Sequence, residues 1–132
     1  MNDSHQTKLY STCLLLSIAD ADEVLDKQEL DTIKDILQDF FSITEIDAQN
    51  LIEFAKEKIK NSTGLFEFGQ HLNSCFDHQD KLDFIYCVFE VALADGNLHY
   101  LEHHTIKKIA NILHINREEL LSTKSEIEIY LK

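Results

Sequence analysis

The 132-residue sequence contains no proline and only three glycines, Gly64, Gly69 and Gly96. These two residue types interrupt regular secondary structure most strongly, and between the few interruptions the apolar residues recur at helical spacing. The sequence therefore predicts an all-α fold. No linker or low-complexity stretch divides the chain, and its length suits one domain with a substantial core. We expect a single-domain bundle of about seven helices.

Positive charge is also scarce. Twelve Lys and Arg residues face 24 Asp and Glu residues, which gives a formal net charge of −12 with the histidines neutral. Such a chain repels phosphate backbones and anionic membrane surfaces, so neither nucleic acid nor a membrane is an expected partner. A protein partner with a basic surface is favoured instead.

Cysteines and long apolar runs are few. The three cysteines are scattered, and Cys13 and Cys87 lie in apolar stretches, which suits a reducing cytoplasm rather than a disulfide framework. The apolar run over 13–19 is too short to span a bilayer and lacks the basic flank of a secretory leader. No phosphate-binding glycine loop or nucleophile motif is present. We expect a cytoplasmic protein without enzymatic activity.

The periodicity predicts helices over about 6–21, 27–41, 45–60, 65–76, 77–94 and 100–114, and a seventh from 116 onwards. Thr44, Asp77 and Asn116 each precede an acidic residue by three positions, a pattern typical of helix N-caps. The first and fifth helices are expected to lie side by side at the centre. The expected core residues are Leu16, Ile33, Ile36, Phe40, Ile85, Phe89, Ile106 and Ile109.

An internal repeat relates these helices to one another. Residues 19–37 match residues 92–110 at an offset of 73 positions, and such a repeat indicates a duplicated structural unit. We predict two pseudo-symmetric helix–loop–helix repeats, about residues 9–48 and 82–121. The identical pairs are Ala19/Ala92, Ala21/Ala94, Asp22/Asp95, Leu25/Leu98, Glu29/Glu102, Thr32/Thr105, Ile33/Ile106, Lys34/Lys107 and Ile36/Ile109.

Each repeat has an Asp in its loop and a Glu seven residues later. If Glu102 is counted as the last residue of a twelve-residue loop, Asp95, Gly96 and His99 fall at positions 5, 6 and 9 of an EF-hand. Neither loop has a ligand at position 1, so one loop alone cannot supply the six or more oxygens that Ca²⁺ requires. We therefore predict one divalent-cation site (Ca²⁺, Mg²⁺, Zn²⁺ or Mn²⁺) shared between the loops. Its ligands would be Asp22, Glu29, Asp95 and Glu102, with Asp20, Asp26, Asn97 and His99 as secondary candidates.

The doubled pattern Ala-x-Ala-Asp, with Leu and Glu three and seven positions after the Asp, resembles the TerB family of tellurite resistance proteins. Similar domains occur in a membrane-anchored DnaJ-like co-chaperone. The likeness covers about residues 9–121. It implies a helical bundle of two pseudo-symmetric halves and a non-enzymatic role in tellurite or chemical stress. Glu23 departs from the family pattern by replacing a turn glycine, and His99 by standing where Ser or Asp is usual. The acidic positions that the resemblance implies are Asp22, Glu29, Asp95 and Glu102.

Other interpretations of these acidic residues stay open. Glu29 lies three positions after Asp26, so the two can form a simple helix cap. Asp22 and Asp95 can be turn residues that bind their own backbone. The alternative function is an acidic protein-interaction scaffold that binds no metal, and a metal-dependent enzyme is less favoured.

Three further metal motifs are disfavoured. His99 and His103 frame an H-x-x-E-H sequence, but His99 is expected in a loop, so the two rings would not share a helix face. His71, Cys75 and His78 have spacings suited to Zn²⁺, with Asp77 or Asp80 as the fourth ligand, but a surface helix with a semi-buried thiol is the favoured interpretation. A di-iron bundle would need Glu-x-x-His on two helices, and neither acidic motif supplies it.

Overall fold

The computed structural model describes residues 5–19, 27–61, 64–94 and 100–130. Over these ranges the chain is all-α, as predicted, with no strand and no helix long and apolar enough to cross a membrane. The predicted helix limits agree with the observed ones to within about two residues. The helices are α1 (His5–Ala19), α2 (Lys27–Phe41), α3 (Glu45–Lys60), α4 (Phe66–Cys75), α5 (His78–Ala92), α6 (Tyr100–Ile112) and α7 (Arg117–Tyr130).

Side-chain caps begin three of these helices at the predicted residues. The backbone N–H of Asp47 donates to Thr44 Oγ1 at 3.1 Å before α3. Asp77 accepts from the backbone N–H of Asp80 at 2.8 Å, and Asp80 accepts in return from the N–H of Asp77, which completes a capping box before α5. Asn116 and Glu119 make the same reciprocal pair before α7: Asn116 Oδ1 accepts from the N–H of Glu119 at 2.8 Å, and Glu119 Oε1 accepts from the N–H of Asn116 at 3.1 Å. The caps stop each helix from fraying backwards into its loop.

The helices follow the 73-residue offset of the sequence repeat. Both limits of α5 lie 73 positions after those of α1, and α6 begins 73 positions after α2. The pairing of helices is reciprocal as well: α1 contacts α2, α3 and α6, whereas α5 contacts α6, α7 and α2. α1 and α5 also contact each other. Reciprocal contacts of this kind are those of two halves related by a pseudo-twofold axis.

α4 has no counterpart in this scheme. It packs on α1 and α6, whereas no described helix packs in the same way on α5 and α2. Gly69 lies on its buried face, where a Cβ atom would collide with Cγ2 of Ile112. The missing side chain therefore lets α4 approach α6 closely.

The core is centred on α1 and α5, which are adjacent as expected. Seven of the eight expected core residues are buried, Leu16, Ile33, Ile36, Ile85, Phe89, Ile106 and Ile109. The prediction for Phe40 is wrong, because this side chain is only half buried and Phe41, 5% exposed, is the buried aromatic at the end of α2. Phe40 lies at the edge of the core, with its ring against those of Phe41, Phe76 and Phe84.

α2 and α6 end alike. Ser42 and His114 adopt left-handed backbone conformations, with φ of 55° and 62°. The next residue in each case donates its N–H back across the helix end, Ile43 to the carbonyl of Gln38 and Ile115 to that of Ala110. This is the bonding of a Schellman motif, which normally has glycine at the left-handed position.

Candidate functional site

Glu29 and Glu102 occupy equivalent positions in the two halves. Each is the third residue of its helix, α2 and α6 respectively. Their side chains are 1% and 0% exposed, and they are the only charged residues that are buried in the described part of the chain. Among the acidic residues that the structure describes, the two that are withdrawn from water are thus a pair related by the repeat.

Burial of a carboxylate is costly unless hydrogen bonds or a positive charge compensate the lost hydration. The first turn of a helix helps, since its unbonded N–H groups and the helix dipole favour negative charge there. The same position suits two roles. A Glu at the third helical residue can cap the helix start, and its remaining oxygen lone pairs can bind a hard cation.

The remaining predicted ligands lie outside the described residues. These are Asp22 and Asp95 with the secondary candidates Asp20, Asp26, Asn97 and His99. Convergence of the two loops on one cation therefore stays a prediction. Within the ranges that the structure describes, no group of three or more His, Cys, Asp or Glu side chains is arranged to hold a metal.

The structure does not bring the three residues His71, Cys75 and His78 into one cluster, because His78 lies apart from the other two. The Nε2 atom of His71 lies 3.4 Å from Cys75 Sγ and 3.2 Å from Thr7 Oγ1, which joins α4 to α1. The ring of His78 instead bonds Glu119 at the start of α7. The bond from His78 lowers the pKa of the Glu119 carboxyl below its ordinary value, and the hydrogen bond from the backbone N–H of Asn116 lowers it further. His78 thus connects two helix starts.

A second feature, which the sequence did not reveal, is a groove of about 1070 Å³ lined by α2, α5 and α7. We call it the acidic groove. Seven of its sixteen lining residues are Asp or Glu, and none is Lys, Arg or His. Its floor is apolar and includes the half-buried Phe40 and Leu82. The exposure of Phe40, which the sequence did not predict, is explained by its place in this floor.

Two groups in the acidic groove have raised pKa values. Burial raises the pKa of the Cys87 thiol to about 12, and the carboxylates of Glu90, Asp83 and Asp39 raise it further. Burial also raises the pKa of the Glu90 carboxyl, and the negative charge of Asp39 adds to the effect. Around Cys87 and Glu90 the groove therefore disfavours further negative charge.

One signal in the sequence could have located part of the groove. The α5 residues that line it are Gln79, Leu82, Asp83, Tyr86, Cys87 and Glu90, which recur at the three- and four-residue spacing of one helix face. This face mixes apolar and acidic residues, so periodicity of hydrophobic residues alone does not distinguish it from solvent-exposed surface.

Comparison with known proteins identifies a family. The family model described as Tellurite resistance protein TerB matches residues 8–125, nearly the whole chain. No curated protein and no solved structure matches it.

Proposed function

Because the chain belongs to the TerB family of tellurite resistance proteins, we propose that it is a non-enzymatic binding module of the cytoplasm in the response to tellurite or related chemical stress. In this proposal a divalent cation binds at the duplicated loops. The burial of Glu29 and Glu102 at equivalent helix starts carries the proposal. Duplication provides two carboxylates that are already withdrawn from water, and the acidic loops that precede them offer further oxygen ligands.

The test is thermal unfolding of chelator-treated protein with added Ca²⁺, Mg²⁺, Mn²⁺ or Zn²⁺. A cation that binds only the folded protein stabilises it by about 2.7 kcal/mol at a hundredfold excess over its Kd. For a domain of this size that corresponds to a rise in Tm of about 10 °C. We expect such a rise with at least one of the four ions.

Glu29→Gln and Glu102→Gln separate ligation from capping. Glutamine can still complete a capping box, so both variants should retain most of the stability that the protein has in chelator. The missing charge should weaken cation binding, and the double variant should lose the rise in Tm. Glu119→Gln is the matched control. Glu119 is also the third residue of its helix, α7, and caps the helix start together with Asn116, but it is not buried.

Three outcomes would contradict the proposal: no ion raises Tm, the double variant keeps the full rise, or Glu119→Gln removes it equally. A Zn²⁺ effect that persists in the double variant would belong to another site, such as the pair of His71 and Cys75. In those cases the buried glutamates act as caps.

An acidic interaction scaffold without metal is the second candidate function. The acidic groove favours it, because its apolar floor and negative rim do not depend on the two loops. The two functions are compatible, since Glu29 and Glu102 do not line the groove.

A further inference from the structure

The acidic groove occupies the place that α4 fills in the other half of the molecule. The pseudo-twofold relation takes α1 to α5 and α6 to α2, and α4 packs between α1 and α6. The equivalent space between α5 and α2 contains no described helix and is part of the groove.

The correspondence extends to single residues. α4 rests on Tyr10 of α1, whose ring lies 5.3 Å from that of Phe68 and 4.9 Å from that of His71. It also contacts Ile112 of α6, whose carbonyl accepts from Asn73 Nδ2 at 2.6 Å. The repeat partners of these two supporting residues, 73 positions away, are Asp83 and Asp39.

Asp83 and Asp39 both line the acidic groove. The groove is therefore located where a helix binds in the other half. Carboxylates replace the aromatic Tyr10 and the aliphatic Ile112 that lie beneath that helix. A third pair agrees: Lys108 beside α4 corresponds to Asp35 in the groove.

The dimensions also suit a helix. The groove residues of α5 extend from Gln79 to Glu90, about 16 Å along a helix axis, or three turns. α4 itself has ten residues and buries Phe68, Gly69 and Leu72 against its neighbours. Apolar anchors about one turn apart are the usual mode of helix recognition in a groove.

The charges define the chemistry of the occupant. The carboxylates are distributed along three helices and not gathered into a metal-binding group within the described chain. A row of Lys and Arg side chains matches that distribution better than a single ion does. The apolar floor residues Phe40 and Leu82 favour a partner that also has apolar side chains between its Lys and Arg residues.

The longer stretches outside the described ranges do not have this chemistry. Residues 20–26 contain four acidic residues and no Lys or Arg, and residues 1–4 and 95–99 contain no Lys or Arg either. A second copy, with a net charge of −12, would be repelled by the groove.

We propose that the acidic groove is a docking site for a basic amphipathic helix of a partner protein, bound in the position that α4 takes in the other half. The bound helix has about three turns, inserts two apolar side chains one turn apart, and places Lys or Arg against Asp39 and Asp83. This site is separate from the proposed cation site, and the docking needs no metal.

The probe is a fluorescently labelled peptide with the sequence of residues 64–76 and the changes Glu67→Lys, His71→Lys, Asn73→Lys and Cys75→Ser. Lys then replaces His71, whose ring contacts that of Tyr10, and Asn73, which donates to the carbonyl of Ile112. The first control peptide carries only Cys75→Ser. It keeps the apolar pattern of α4 but has no Lys or Arg. A scrambled version of the basic peptide keeps the charge without the helical pattern.

Binding is measured by fluorescence anisotropy in EDTA, which excludes any contribution from the cation site. We expect the basic peptide to bind at least about tenfold more tightly than either control peptide, and the affinity to fall with added salt. Asp39→Asn with Asp83→Asn should weaken binding by about tenfold. The matched control, Glu53→Gln with Glu57→Gln on the exposed face of α3, changes the net charge equally and should alter binding by less than about twofold.

An uncharged block of the groove is the second test. Ser122→Trp on α7 fills the groove, whereas Asn50→Trp places the same residue on the exposed surface of α3. Only Ser122→Trp should abolish binding. Chemical-shift changes on addition of peptide should map to α2, α5 and α7.

The inference is overturned if the basic peptide does not bind, if the scrambled peptide binds equally, or if the α3 charge variant weakens binding as much as the groove variant. It is also overturned if the protein alone is a dimer that Ser122→Trp converts to a monomer, since the groove would then hold a second copy. Failure of the cation titration leaves the expected peptide results unchanged.

Discussion

At the level of single residues, Glu90 illustrates how neighbouring carboxylates in the acidic groove act on one another. Its side chain is half buried on α5, and burial and Asp39 both raise the pKa of its carboxyl above the ordinary value of 4.5. A raised folded-state pKa means that the unfolded chain releases this proton more readily. The contribution of Glu90 to stability is therefore complete below pH 4.5 and is lost as the pH rises through the folded-state pKa.

We expect Glu90→Gln to raise Tm at pH 7, on the order of 2 °C, because it removes a charge that is both desolvated and repelled. At pH 4 the gain should shrink, since Glu90 is then mostly protonated in the original protein. Calorimetry at the two pH values measures both effects. Glu53→Gln, on an exposed residue paired with Lys56, should show neither. A lower Tm at pH 7 for Glu90→Gln would mean that the carboxylate has a stabilising partner.

At the level of secondary structure elements, the twin ends of α2 and α6 contain residues that tolerate a left-handed conformation poorly. Ser42 and His114 have positive φ, at a position where most helices have glycine. A residue with a Cβ atom costs roughly 1–2 kcal/mol in this conformation. Glycine removes that cost, but part of the gain is lost because glycine increases the conformational entropy of the unfolded chain.

Ser42→Gly and His114→Gly should each stabilise the protein by about 0.5–1 kcal/mol, with additive effects because the two ends are separate. Denaturant titration gives both values. The control is Asn61→Gly after α3, where φ is −101° and glycine brings no conformational relief. Stabilisation by the control equal to that by the two variants would refute the explanation.

At the level of the whole molecule, α1 and α5 join the two halves into one core. Phe89 of α5 is 1% exposed, and its repeat partner on α1 is Leu16, 3% exposed. Phe89→Ala should cost about 3–5 kcal/mol, the usual range for a buried aromatic. If the halves form one cooperative unit, the loss should appear in a single unfolding transition monitored by two probes. A loss well under 1 kcal/mol, or two separate transitions, would contradict the central position of α5.

The sequence predicted the helices and their arrangement better than the surfaces between them. Periodicity and caps depend on neighbours within one turn, so the limits of α2 and α3 were correct to the residue. The exchange of Phe40 for Phe41 in the core was not predictable, because adjacent residues at a helix end both lie near the apolar face. Burial of Glu102 was not predictable either, since it depends on helix packing. The acidic groove is formed by α2, α5 and α7, which lie far apart in sequence, so a local pattern can indicate at most its α5 side.

The unequal use of the two copies has a consequence for the evolution of the chain. After a duplication, one copy can preserve the ancestral packing while the other accumulates substitutions without loss of the fold. Tyr10 and Ile112 support α4 and are constrained by it, whereas Asp83 and Asp39 have no helix of the described chain above them. Selection at the first pair is expected to act through stability, and under the proposed docking role selection at the second pair acts through the bound partner helix. Relatives that recognise other partners are therefore expected to differ at the positions of Asp39 and Asp83 while retaining the apolar pair beneath α4.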